Sequence, residues 1–298
     1  MTTTAHCVTM LRTEIELPVT REETILTRKN APERTVLLHA HMFKNAGTTL
    51  DWSLRRYFGA QFVDHRDDEA MRDNRVYLAT YLCDHPPIKA LSSHWLPMPP
   101  LLHTEFFSRT LLLLRDPLER CRSVYNFERT QAGESIGNQK ARDLTFPEYI
   151  NWRLLPATGP VIKNFHTRYC SGNYFGKDMK QLFAKAMTNL ESLPLTGLVH
   201  RYAESMVLFE AGLSDIFPDI DLSWKMQNAS QPISLPTTER VNSIEQELGD
   251  SFQALVEANQ YDIALFHYAE QRFNRELEKI PNLRERINSM QERNEKLL

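Results

Sequence analysis

Lys44-Asn45-Ala46-Gly47-Thr48-Thr49 brings an ammonium, a glycine and two hydroxyls within six positions. Set between a strand and a helix, such a run gathers several unpaired backbone N–H groups at one point, where the helix end is positive. That is chemistry for a phosphate. In the common nucleotide-binding loop the lysine directly follows the last glycine. Here it precedes the glycine by three positions, which argues against an ordinary kinase or ATPase. Arg115 and Ser123, eight residues on, form a second candidate if Asp116-Pro117 starts a helix, because both could then reach one anion. Each group also has a plainer use: a solvated Lys44 in an Ala-Gly turn, an Arg115 paired with Asp116 or Glu119, a solvated helical Ser123. A hydroxyl attacking an activated group must lose its proton. Histidine is the usual base for that step, and ten histidines compete.

Periodicity indicates the elements that must position these groups. Thr35 to His41 is a β-rich apolar run that predicts a buried strand, and after Gly47 the spacing of Leu50, Leu54 and Tyr57-Phe58 predicts a helix ended by Gly59. Val76 to Leu82 and Ile88 to Ser92 are expected as further short strands, which sets His94 just past a strand end. Thr110 to Leu114 is a continuous apolar run suited to a central parallel strand, and Asp116 and Pro117 suit the cap and first residue of a helix running through Phe127. The segment 131–143 is expected as a mobile loop, Phe146 to Leu155 as a short helix, Asp178 to Leu190 as an amphipathic helix and Thr196 to Val199 as a third short strand. From Thr238 onward the chain is helical in character, with breaks near Gln260 and Pro281, and its last helix is expected to pack or protrude. Alternating strand and helix signals predict an α/β fold, a parallel sheet flanked by helices with a helical C-terminal region.

Composition limits the alternatives. The 298 residues carry 35 Lys plus Arg against 38 Asp plus Glu, a net charge of −3, so no overall field gathers nucleic acid or an anionic membrane and any anion site must be local. Nowhere does the chain reach the roughly 18 apolar residues of a membrane span, and the first residues lack the basic-then-apolar pattern of an export signal. Four widely spaced cysteines with no C-x-x-C pair suggest neither a disulfide framework nor a zinc site, and a reducing compartment fits best.

The segment from His41 to Leu50, HMFKNAGTTL, resembles the H-x-P-K-T/N-A-G-T/S-T/S loop of the Golgi-type carbohydrate sulfotransferases, the group that contains the heparan sulfate 2-O- and 6-O-sulfotransferases. The segment from Leu114 to Tyr125, LRDPLERCRSVY, is similar to their R-D-P-x-x-R-x-x-S-x-Y/F segment, in the expected order. Weaker likenesses follow at 164–172 and 197–202, so the resemblance runs from about Thr35 to His267. Phe43 stands where the family has proline, His166 where it has glutamine and His200 where it has an acid.

What the resemblance implies is transfer of a sulfuryl group from 3′-phosphoadenosine 5′-phosphosulfate (PAPS) to a hydroxyl, on a P-loop-like sheet and without a metal. Lys44, Asn45, Ala46, Gly47, Thr48 and Thr49 would hold the 5′-phosphosulfate, with Lys44 also stabilising the transition state. Arg115 and Ser123 would hold the 3′-phosphate. Ser93-His94 matches the family's G-H position, which makes His94 the expected general base. Arg168 would touch the 3′-phosphate or an anionic acceptor, or form a structural ion pair. His39 and His41 would pack or orient the site.

The expectation is a cytoplasmic sulfotransferase acting on a glycan or other hydroxyl acceptor. A P-loop-type phosphotransferase and a non-catalytic nucleotide-binding protein are the alternatives. Residues 34–275 form the expected catalytic domain, between an N-terminal extension (1–33) and a C-terminal helical extension (276–298).

Overall fold

The computed structural model describes residues 34–99, 103, 105–225 and 236–297; the extension expected at 1–33 lies outside them. Five parallel strands form one sheet: β1 (Thr35–Ala40), β2 (Phe62–Asp64), β3 (Ala90–Ser93), β4 (Phe107–Leu114) and β5 (Thr196–Leu198), in the order β2-β3-β1-β4-β5. Successive residues of β1 from Val36 to Ala40 are all buried, so both faces of the central strand are covered. Leu111 to Leu114 of β4 are no more than 1% exposed, as their unbroken apolar run predicts.

Helix α1 (Gly47–Phe58) follows β1 and ends at Gly59, whose φ of 53° favours glycine. A short α2 (Asp68–Asp73) and then α3 (Tyr77–Asp84) precede β3. The strand expected at Val76 to Leu82 is therefore a helix. Its two buried residues, Leu78 and Leu82, are four apart, which is one stripe of a helix, while Val76 is 65% exposed. Helix α4 (Pro117–Thr130) follows β4, and α5 (Ile136–Asp143) occupies most of the segment expected to be a mobile loop. Ser135 caps α5 by accepting from Asn138 N–H, and Gly137 lets α5 approach closely, since a Cβ there would meet Arg153 at 2.4 Å. Helix α6 (Phe146–Leu154) packs beside it.

Helices α7 (Phe165–Cys170) and α12 (Gln260–Glu278) cap each other. Asp262, fully buried, accepts from the N–H groups of His166 and Thr167, and Asn164 Oδ1 accepts from those of Tyr261 and Asp262. Residues some hundred positions apart in sequence thereby fix α7 against the rest of the domain. Helices α8 (Met179–Glu191) and α9 (Tyr202–Leu213) complete the main core, and α10 (Thr237–Leu248) and α11 (Ser251–Ala258) close a smaller apolar cluster over α4 and α6. The last helix, α13 (Leu283–Glu295), packs on the domain: Met290 is fully buried and Arg293 pairs with Glu210 and Asp221. Among the described residues no helix is long and apolar enough to cross a membrane.

Candidate functional site

Register decides which side chains meet. Ala40 pairs with Ser93 on one side and Leu112 on the other, so β1, β3 and β4 finish nearly level and deliver Lys44, His94 and Arg115 to one sheet edge. This is the edge where open α/β sheets bind ligands.

The β1–α1 junction is wound unusually tightly. Lys44 and Ala46 both hold left-handed backbone, with φ of 64° and 60°, a conformation that costs a non-glycine residue about 1 kcal/mol. Asn45, 1% exposed, holds the turn: its Oδ1 accepts from the backbone N–H of Arg115 at 2.8 Å and lies 3.0 Å from His166 Nε2, and its Nδ2 donates to the Phe43 carbonyl. Helix α1 then begins with Ala46 as N-cap and no side-chain cap. The N–H groups of Asn45 and Thr49 donate to the carbonyls of Met42 and Ala46, whereas among the described residues those of Ala46, Gly47 and Thr48 meet no backbone acceptor. The expected cradle of residues 45 to 49 thus narrows to three donors. Thr48 is exposed beside them and Thr49 is 4% exposed.

Lys44 Nζ rests 4.2 Å from the ring centre of Phe127 on α4, and Phe43 meets the same ring edge-on at 5.4 Å. Phe43, where the resembling family has proline, therefore helps seat the ring that carries the ammonium. Burial, with Arg115 adding to it, pushes the Lys44 ammonium down to about 8.

The β4–α4 junction is built differently. Asp116 Oδ1 accepts from the N–H groups of Leu118 and Glu119, as its capping position predicts. Arg115 donates to the Lys44 carbonyl at 3.3 Å, and its Nε lies 3.9 Å from Glu119, whose nearer partner is Arg240 at 2.7 Å. Ser123, two turns into α4, is 6% exposed, and its hydroxyl has no hydrogen-bond partner among the described residues.

Beside α1 lies a group that the residue pattern did not reveal. Asp51, on α1 and 6% exposed, bridges two imidazoles: Oδ1 is 2.6 Å from His39 Nδ1 and Oδ2 is 2.7 Å from His41 Nδ1. Arg66, following β2, reaches the same Oδ2 at 3.5 Å. Burial alone would raise the Asp51 carboxyl, but the imidazoles, His39 foremost, hold it well below the usual carboxylate range. The contact distances are those of charge-assisted hydrogen bonds, and the nearby guanidinium opposes a further cation there. No pattern along the chain marks Asp51, because a carboxylate on a helix face is ordinarily solvated.

His94 leaves β3 with its side chain 36% exposed, its Nδ1 3.4 Å from Asp68 Oδ2 and its ring edge-on to His41 at 4.8 Å. Burial foremost, then the neighbouring His41 and Arg66, lower its basicity. Trp95 follows, with Tyr174 edge-on at 5.0 Å.

Other candidates fall elsewhere. Arg168 donates to the carbonyls of Tyr174 and Gly176, so its guanidinium closes a turn. His200 pairs with Glu270 at 3.3 Å. His103 lies in irregular chain with its ring stacked on Phe106, and Phe107 begins β4.

No family model matches this chain. An uncharacterized protein of Archaeoglobus fulgidus is 30% identical to it over 249 residues, which cover 78% of this chain and 95% of the archaeal one. This chain belongs to the family of that archaeal protein. At this identity over that length the two chains share a fold.

Proposed function

We propose that the protein is a PAPS-dependent sulfotransferase that sulfates a hydroxyl of a saccharide in the cytoplasm. The observation that carries the reading is the β1–α1 junction: three backbone donors at a helix end with no capping side chain, flanked by Lys44 and Arg115. PAPS is a substrate with two separated anionic groups, which suits a sheet edge with two adjacent cationic junctions. The 5′-phosphosulfate would meet the N–H groups of Ala46, Gly47 and Thr48, and the 3′-phosphate would meet Arg115 and the unpartnered hydroxyl of Ser123. Free thiols at Cys83, Cys121 and Cys170 accord with a reducing compartment.

In the transfer, the bond from sulfur to the bridging phosphate oxygen breaks as one from sulfur to the acceptor oxygen forms. Charge develops on the bridging oxygen, and the Lys44 ammonium, leaving the face of Phe127, stabilises it. The acceptor proton passes to His94, whose contact with Asp68 favours a proton on Nδ1 and a lone pair on Nε2. Trp95 and Tyr174 add aromatic surface beside that base, suited to the apolar face of a sugar.

Incubation with sulfur-labelled PAPS and a panel of glycans and simple alcohols tests the reading, with EDTA present to separate it from magnesium-dependent phosphoryl transfer. Label should reach an acceptor, and His94→Ala should lower that rate by about 10²- to 10⁴-fold while nucleotide affinity stays near normal. Binding of 3′-phosphoadenosine 5′-phosphate without turnover on any acceptor would favour a nucleotide-binding protein instead.

A further inference from the structure

We propose that His41 is a second residue in contact with the saccharide acceptor, receiving on Nε2 a hydrogen bond from a hydroxyl next to the one that gives its proton to His94, and that Asp51 is the positioning residue that holds His41 ready to do so. The inference rests on the sulfotransferase reading and adds a subsite to it. Both imidazoles on Asp51 present Nδ1 to the carboxylate, at 2.6 and 2.7 Å, and a carboxylate only accepts. Each Nδ1 therefore carries the proton, and in a neutral ring the lone pair is left on Nε2. The two rings then differ in where that lone pair goes. Nε2 of His39 is sealed from solvent with no partner, whereas Nε2 of His41 is not sealed and among the described residues has no hydrogen-bond partner either.

His41 also stands in the right place. Its ring lies against the first residue of α1, so closely that a Cβ on Gly47 would fall 2.5 Å from Nε2, and it meets His94 edge-on at 4.8 Å. It thus lies between the proposed phosphosulfate cradle and the proposed base, where donor and acceptor must meet. A lone pair there is suited to a hydroxyl and unsuited to an anion. The groups facing His41 are His39 from β1, Asp51 from α1, Arg66 after β2 and His94 after β3, with Asp64 on Arg66 and Asp68 on His94 at one remove. Burial, His39 and Arg66 outweigh Asp51 and lower the basicity of His41, which keeps it neutral near pH 7.

Replacing Asp51 by asparagine tests the positioning role, because an amide offers one acceptor and one donor. The two imidazoles can then no longer both carry Nδ1–H, and one must move its proton to Nε2. Nitrogen NMR of the histidine rings in the wild-type protein should show His41 as the neutral Nδ1–H form at pH 7.5; an Nε2–H form or an imidazolium would overturn the proposal whatever the protein catalyses. In sulfate transfer, His41→Asn keeps a donor toward Asp51 but lacks Nε2. It should lower kcat/KM for the acceptor by about tenfold or more, with affinity for 3′-phosphoadenosine 5′-phosphate within about twofold of wild type. Asp51→Asn should fall between the two, with an altered acid limb of its pH profile. A His41→Asn enzyme with normal acceptor kinetics would sink this proposal and leave the sulfotransferase reading standing, whereas a wild-type protein that sulfates nothing would sink the reading itself.

Discussion

Two strand-to-helix junctions meet at the same sheet edge, and they solve the problem of a helix start in opposite ways. At α4 the protein supplies its own anion: the Asp116 carboxylate takes the N–H groups of Leu118 and Glu119, and Pro117 brings no N–H to satisfy. At α1 the N-cap is Ala46 in left-handed backbone, no side chain caps the helix, and Lys44 stands beside the open donors. A capped helix end is finished in itself. An uncapped one, held in strained backbone by the buried struts of Asn45, leaves its donors open, and the proposed nucleotide site makes use of them. In the proposed site Arg115 and Ser123 would bind through side chains alone, since the dipole end next to them is already occupied.

If that contrast is right, removing Lys44 at the open junction should damage activity and leave stability alone, and removing the Asp116 cap at the sealed one should do the reverse. The largest effect is expected from Lys44→Ala, which should lower turnover by about 100-fold or more with a smaller loss of nucleotide affinity, because its charge acts on an oxygen that becomes anionic during transfer. Single-turnover assays with labelled PAPS would read this, and an unchanged melting temperature would complete it. A mutant with normal turnover and only a raised KM for PAPS would reassign Lys44 to ground-state binding. Next in size, Arg115→Ala should weaken 3′-phosphoadenosine 5′-phosphate binding by about tenfold or more, since a charge-assisted contact to phosphate is worth about 1.5 to 3 kcal/mol. Calorimetric titration giving equal affinities would remove Arg115 from the site.

A subtler probe uses the lowered basicity of Lys44. Its ammonium is charged below about 8 and loses its proton above, so nucleotide affinity should fall as pH rises through that value. Anion binding favours the charged form and moves the fall to somewhat higher pH in the complex. The phosphates are already ionised there, so the slope belongs to the protein, and it should flatten in Lys44→Ala. A wild-type affinity that stays level from pH 7 to 10 would contradict it. The smallest effect belongs to the sealed junction: Asp116→Ala should cost about 1 kcal/mol of stability through the lost cap, read by denaturant unfolding, with near-normal turnover. A stable but inactive Asp116→Ala enzyme would mean that the two junctions share a role after all.

The sequence alone determined those features whose causes lie within a few residues of each other. The apolar run of β4 specifies a buried strand, Asp116-Pro117 specifies a helix start, and the spacing after Gly47 specifies α1. The same local signals misled where two periods compete over a short stretch. At Val76 to Leu82 the β-rich composition suggested a strand, but only Leu78 and Leu82 find a core to enter, and the segment is helical. The segment expected as a mobile loop holds the capped helix α5, whose Gly137 packs closely against Arg153. The tertiary structure decided how the groups meet. Lys44, His94 and Arg115 were readable as candidates, yet only the parallel register brings them to one edge. Asp51 was silent because a carboxylate on a helix face is ordinarily solvated; it becomes the anchor of two imidazoles only when β1 and α1 are folded against each other. Asn45 likewise gains its meaning from Arg115 and His166, 70 and 121 positions away. Local conformation depends on neighbours along the chain and can be read there, whereas a hydrogen bond between distant residues exists only after the sheet has fixed their relative positions.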